Sequence, residues 1–323
     1  MARIYVYSPS GAVGDRAAFR RGLKCLQALG HEVEVDPDAL TRWQRFAGDD
    51  ATRLAAIGRA AASGADVALT TRGGYGLTRL LPQLPWRQIA RAIERGTQFV
   101  GFSDFTALQL GLLATTGATT WAGPALCADF GAADAGDTAD GHGGAPVPAG
   151  PDEIMLACFD DLVTHAGEGT GWRLPLPDVA ALAGRQGLLA HHAPLWGGNL
   201  AMVVSLLGTP WWPDVQGGVL FLEDVGEHPY RVERMLAQLL HAGVLARQKA
   251  VVLGQFTGYR LAPHDRGYSM AKVVDGLRGQ LKVPVLTGLP FGHVPTKVLL
   301  PVGAKIDLLV EGREALLLWG HQH

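Results

Sequence analysis

The strongest constraint on this chain is the alternation of two hydrophobic periods through its first 125 residues. Short apolar runs that read as strands are separated by amphipathic stretches of helical period. Ile4 and Val6 lie in the first run. After a turn over residues 11–14, Asp15 opens a helix that sets Phe19, Leu23, Leu26 and Leu29 on one face, and Gly30 stops it. Val33 and Val35 mark a second strand, and Asp49 or Asp50 caps a helix carrying Leu54 and Ile57. A strand over 66–71 leads into Arg72-Gly73-Gly74-Tyr75-Gly76 and a short helix. Residues 86–95 read as helix, 98–102 as strand, and Asp104 starts a helix through Leu113. Strands alternating with helices across short Gly-rich turns predict a parallel sheet covered on both faces. Residues 1–165 are therefore expected to form a Rossmann-like α/β domain.

The segment 131–150 breaks the pattern: Gly, Ala, Asp and Pro dominate it, and Val147 is its only larger aliphatic. It buries too little to offset its ordering entropy and reads as a mobile surface loop, followed by a helix over 152–165. Residues 166–323 have another texture. Strands are expected near 172–176, 188–194, 219–222, 251–256 and 283–286, with a hairpin pairing 305–310 and 315–319 across Glu311-Gly312. Helices over 199–207 and 230–241 interrupt them. This half reads as a mixed α+β, barrel-like domain, which makes the whole chain a two-domain α/β protein.

Composition narrows the function classes. With 48% hydrophobic and 18% charged residues the chain can build a large core and is not disordered. Its formal charge is −2, from 28 basic and 30 acidic residues without long runs, so it lacks the basic face of a nucleic-acid binder. No stretch approaches ~18 uninterrupted apolar residues, which argues against a membrane span. The N-terminal MARIYVYSPSG reads as a first strand and not a signal peptide. Three widely spaced cysteines, Cys25, Cys127 and Cys158, read as reduced structural thiols, and the expected location is cytoplasmic.

Few residues have the placement that chemistry needs. Ser103 lies in Gly101-Phe102-Ser103-Asp104-Phe105-Thr106, at the sharp turn from strand to helix, with the Asp104 N–H as a helix-start donor. The same residues suit an ordinary N-cap, and Phe105 stands where a nucleophile elbow carries its second Gly. The Arg72–Gly76 motif lacks dinucleotide-binding spacing. It reads either as a tight turn or as backbone brought close to a ligand. Glu223 ends the apolar run 219–222, where a carboxylate is costly without a partner, whereas Glu227 is more simply a first-turn helix acid. His293 stands between Gly292 and Val294 in a loop after a strand, either as a satisfied loop histidine or as a presented imidazole. His191-His192, His264, His321 and His323 show no metal spacing, so neither a metal nor a cofactor is expected.

Taken together these segments resemble the LD-carboxypeptidases, the serine peptidase family that includes the muramoyltetrapeptide carboxypeptidases of murein recycling. The resemblance rests on Arg72-Gly73-Gly74-Tyr75-Gly76, Gly101-Phe102-Ser103-Asp104-Phe105-Thr106-Ala107-Leu108, Gly123-Pro124 and Trp196-Gly197-Gly198-Asn199-Leu200. It continues through Phe221-Leu222-Glu223-Asp224-Val225-Gly226-Glu227 with Tyr230-Arg231, Leu253-Gly254-Gln255-Phe256 and Gly292-His293, in order over nearly the whole chain. It implies a Ser-His-Glu triad of Ser103, His293 and Glu223 split between the domains. It also implies an oxyanion hole from the backbone of Asp104 and of a glycine in the 73–76 run, taken as Gly74. Gly73, Tyr75, Trp196 and Asn199 are the substrate-binding candidates. The implied reaction releases terminal D-alanine from a small peptide, a murein tetrapeptide, in the cytoplasm, with a homodimer as the implied assembly.

Two other readings stand beside it. Microcin-type self-immunity proteins resemble the same fold and hydrolyse peptidyl or aminoacyl nucleotides. That chemistry wants an aromatic to stack a base, for which Trp196, Trp211 and Trp212 are available. A non-catalytic ligand-binding or sensor protein on the same fold is the alternative of another class.

Overall fold

A computed structural model describes residues 1–133 and 150–320. Most of the 131–150 segment, and with it the mobile-loop expectation, lies outside the described residues, as do His321 and His323.

The first half follows the alternating pattern. β1 (Arg3–Tyr7) leads to α1 (Arg16–Ala28), capped by the Asp15 carboxylate, which accepts the N–H groups of Ala17 and Ala18. Next come β2 (Glu32–Val35), α2 (Asp50–Ala62) capped by Asp49, and β3 (Val67–Thr70), whose four residues are all buried. Then follow α3 (Trp86–Glu94), β4 (Gln98–Gly101), α4 (Thr106–Thr116), β5 (Thr120–Ala122) and α5 (Glu153–Thr164). The five strands run parallel in the order β5-β4-β3-β1-β2. Buried side chains line both faces, as a parallel sheet requires.

The second half contains β6 (Gly169–Arg173), α6 (Leu176–Ala181), β7 (Gly187–Asn199), α7 (Leu200–Leu206), β8 (Val219–Val225) and α8 (Pro229–His241). After these come β9 (Ala250–Thr257), α9 (Met270–Gln280), β10 (Val285–Thr287), β11 (Leu300–Val302), β12 (Lys305–Glu311) and β13 (Glu314–Leu318). Six of these strands with β7 build a mixed sheet in the order β10-β9-β8-β7-β12-β13-β6, apart from β11. Its β7–β10 part is parallel and the rest antiparallel. The sheet curls: its two edge strands meet where the Trp172 indole N–H of β6 donates to the Thr287 carbonyl of β10 at 2.9 Å.

β11 departs from the two-halves expectation. Although it follows His293, it pairs antiparallel with β5 and becomes the sixth strand of the first sheet. One buried cluster, including Phe102, Phe105 and Leu108 with Trp196, Leu200 and Phe221, runs across the junction of the halves.

Candidate active site

The Ser103 turn is built by local conflict between a strand and a helix. β4 ends at Gly101, Phe102 stays extended, and Ser103 takes φ +64° before a single 3₁₀ turn passes into α4. A β-carbon in that region costs roughly 1–3 kcal/mol and persists only where surroundings enforce it. Buried Phe102 and Phe105 flank Ser103 on either side. Gly73 presses on it from the loop after β3: a Cβ there would fall 2.7 Å from the Ser103 Cβ and 2.8 Å from its Oγ, so only glycine fits. Gly74 follows with φ +118° and lies with Gly73 at the carboxyl end of the parallel sheet.

The acid and the imidazole arrive from the other half. Glu223 lies in β8, two residues before its end, with no solvent exposure. Its Oε2 lies 2.8 Å from His293 Nδ1 and its Oε1 accepts the Asn199 amide at 3.3 Å. The parallel register of β7 and β8 sets Asn199 beside Glu223. Asn199 also donates to Asp224 at 2.9 Å, and Asp224 in turn accepts the Ala201 N–H at the start of α7. Burial pushes the Asp224 carboxyl above its usual range, against the hydrogen bonds from Asn199 and the backbone. The His293 ring packs against Phe102, the neighbour of Ser103, with centroids 4.8 Å apart. With Nδ1–H donated to Glu223, Nε2 is the free acceptor. No hydrogen bond links Ser103 to His293 in the structure. The halves join behind the serine, where Thr106 Oγ1 accepts the Asn199 N–H at 3.1 Å.

A buried ion pair supports the histidine loop. Lys297 Nζ lies 2.7 Å from Asp129 Oδ1, both nearly sealed from solvent, and 3.7 Å from the centroid of the Phe102 ring. A cavity of about 270 Å³ opens here, lined by Phe102, Asp129, His293 and Lys297 among others. A larger cavity of about 510 Å³, bordered by Gln98, Trp121, Cys158 and Trp319, lies at the amino ends of β4 and β5, and none of Ser103, Glu223 and His293 lines it. Lys297→Met leaves the Asp129 carboxylate buried without its cation. The variant is expected to lose about 3–5 kcal/mol of stability, read by denaturant unfolding, and an unchanged midpoint would contradict that.

The remaining candidates separate cleanly. Asn199 spends its side chain on Glu223, Asp224 and the Met202 N–H, which makes it a scaffold for the acid. Trp196 is fully buried, its N–H bonded to Gln248 and its ring edge-on to Trp212. Trp211 and Trp212 are half-buried against the same core. Tyr75 remains open to a ligand, 39% exposed, with the Arg45 guanidinium 5.7 Å from its ring. Glu227 pairs with Arg231 one helical turn on, away from His293. Asp129 and Lys297 belong to no motif of the sequence, and Asp224 lies in the 221–227 motif without having been singled out. A lone lysine followed by the apolar run Val298-Leu299-Leu300 was the one available signal, since such a lysine needs a buried partner. Among the described residues no group of three or more His, Cys, Asp or Glu side chains is placed to hold a metal ion.

A serine on a strained strand-to-helix turn, beside glycine backbone and a carboxylate-held imidazole, is an arrangement suited to acyl transfer, and the protein is a hydrolase by relationship. Residues 4–123 match the LD-carboxypeptidase N-terminal domain and residues 192–308 the LD-carboxypeptidase C-terminal domain. A putative carboxypeptidase of Streptomyces coelicolor is 33% identical over 95% of this chain and 90% of its own. The murein tetrapeptide carboxypeptidase of Pseudomonas aeruginosa is 28% identical, covering 90% of this chain and 88% of its own. The crystal structure of muramoyltetrapeptide carboxypeptidase from Oxalobacter formigenes superposes with a TM-score of 0.81 at 36% identity, over 98% of this chain and 97% of that one. The chain belongs to the LD-carboxypeptidase family.

Proposed function

We propose that this protein is a serine carboxypeptidase that hydrolyses the L,D amide bond releasing terminal D-alanine from murein tetrapeptides, in the cytoplasm and in the service of peptidoglycan recycling. The observation that carries the reading is the pair of buried Glu223 with His293, 2.8 Å long, packed on the residue beside Ser103. His293 Nε2 takes the Ser103 proton as Oγ attacks the amide carbonyl, and Glu223 stabilises the imidazolium. The oxyanion is met by the amides of Asp104 and Gly74. The C–N bond then breaks, His293 hands its proton to the departing amine of D-alanine, and a seryl ester remains. Water, deprotonated by His293, attacks that ester and frees the shortened peptide and Ser103.

A peptidyl-nucleotide substrate asks for an aromatic free to stack, and the three tryptophans considered for that role are buried or packed on the core. The test is release of free D-alanine from a murein tetrapeptide, beside the same peptide ending in L-alanine and an aminoacyl-sulfamoyl adenylate. D-Alanine release alone is expected, unchanged by EDTA because no step uses a metal. Preferential cleavage of the adenylate would replace this reading, and loss of activity in EDTA with recovery on added zinc would overturn the mechanism.

A further inference from the structure

A buried carboxylate beneath the nucleophile turn has no part in the steps above. The Asp104 side chain is 1% exposed. Its Oδ2 accepts the Ser10 hydroxyl at 2.7 Å and the Leu77 N–H at 3.0 Å. Its Oδ1 has no hydrogen-bond partner among the described residues. Leu77 directly follows the 73–76 loop. The other end of that loop is held by the Gly11 N–H, which donates to the Gly73 carbonyl at 3.2 Å, and by the Arg72 guanidinium, which donates to the Ala12 carbonyl at 3.1 Å. The loop is thus anchored at both ends, and one anchor grows from the residue whose own N–H starts the helix after Ser103.

An acid that only complemented the α4 dipole would do so at the surface, with both oxygens in water. Burial instead pushes the Asp104 carboxyl upward, against the Ser10 hydroxyl, the amides of Leu77 and Gly76 and the charge of Arg53. An orphaned buried oxygen is a cost that plain capping does not require. Between its anchors the loop is held by backbone contacts and by Tyr75 on Phe46, because Gly74 and Gly76, at φ +118° and +142°, carry no side chains of their own. Backbone donors stabilise an oxyanion only when they are fixed before the charge forms.

We propose that the Asp104 side chain is a positioning residue that sets the oxyanion hole: by gripping the Leu77 amide and the Ser10 hydroxyl it holds the glycine loop at a fixed distance from its own backbone N–H, so that the two donors converge on one oxygen. The inference rests on Ser103 being the nucleophile. The test measures steady-state hydrolysis together with the rate at which a fluorophosphonate labels Ser103. In labelling, the Oγ–P bond forms, fluoride leaves, the serine proton passes to His293, and the phosphonyl oxygen takes the oxyanion's place.

Loss of a whole oxyanion donor costs about 10²–10³ in kcat, so Asp104→Ala, which displaces one, is expected to slow kcat and labelling by about 30–300-fold with KM within about threefold. Asp104→Asn keeps a carbonyl oxygen at the same place and is expected to stay within about fivefold of wild type. Where circular dichroism shows Asp104→Ala unfolded, Ser10→Ala takes its place, with about 3–10-fold slower labelling expected from removal of one bond to the same oxygen. Full-rate labelling of the folded variant, or Asp104→Asn as slow as Asp104→Ala, overturns the inference while leaving the nucleophile in place. A wild-type enzyme that the probe does not label at Ser103 removes the nucleophile assignment, and the inference with it.

Discussion

Replacing Ser103 by alanine is expected to lower kcat by about 10³–10⁶-fold, the cost of removing a covalent nucleophile. The motive is geometric: Ser103 is held at φ +64° at the end of β4, with Gly73 against its hydroxyl and Phe102 carrying the His293 ring. D-Alanine release from a tetrapeptide checks the rate, and near-normal turnover would remove Ser103 from the chemistry. The same backbone angle makes a second, opposite expectation. Ser103→Gly should be equally inactive yet about 1 kcal/mol more stable, since glycine adopts a left-handed conformation without the Cβ penalty. A serine kept there for packing alone would show neither effect.

Glu223→Gln should lower kcat at least ~100-fold with folding intact, because an amide keeps the volume but supports a charged imidazole poorly. Glu223 is fully buried and 2.8 Å from His293, so no water replaces the missing charge. Glu227→Gln is the control. Its carboxylate faces the half-exposed Arg231, and ion pairs open to solvent contribute about 0–1 kcal/mol, so activity should stay close to wild type. Equal inactivation of the two variants would mean that the orienting acid is misassigned.

Much of this arrangement is legible in the sequence wherever a local rule and the tertiary context agree. Asp15 caps the helix that it announces, one of the two candidates Asp49 and Asp50 caps the next, and the alternation of periods yields the parallel strands of the first sheet. Ser103 is visible because a strand pattern stops one residue before it and a helical one starts one residue after. What escapes is whatever depends on distant partners. β11 is three residues, Leu300-Pro301-Val302, and a proline inside so short a run argues against a strand unless it lies at a sheet edge, where it is found. α9 carries Gly276 and Gly279 within its span, which weakens its helical signal. Trp196 and Asn199 sit in a motif that reads as a binding segment, yet the strand they end is sandwiched in the core, so their polar groups turn to Gln248 and Glu223. His293 has no pattern at all, since its partner lies on another strand and a loop imidazole carries no period.

The placement of β11 also orders events in time. A chain emerging from the ribosome shows its amino-terminal half first, and a self-contained domain folds as it appears. Here the outer edge of β5 stays uncapped until residues 300–302 have been made, well after the other strands of that sheet. An exposed strand edge is a site for mispairing with other chains, so the nascent protein carries that hazard until β11 emerges. The segment that finally covers the edge follows directly on the His293 loop. A chain cut short before residue 293 therefore lacks both the cover of the first sheet and the imidazole beside Phe102.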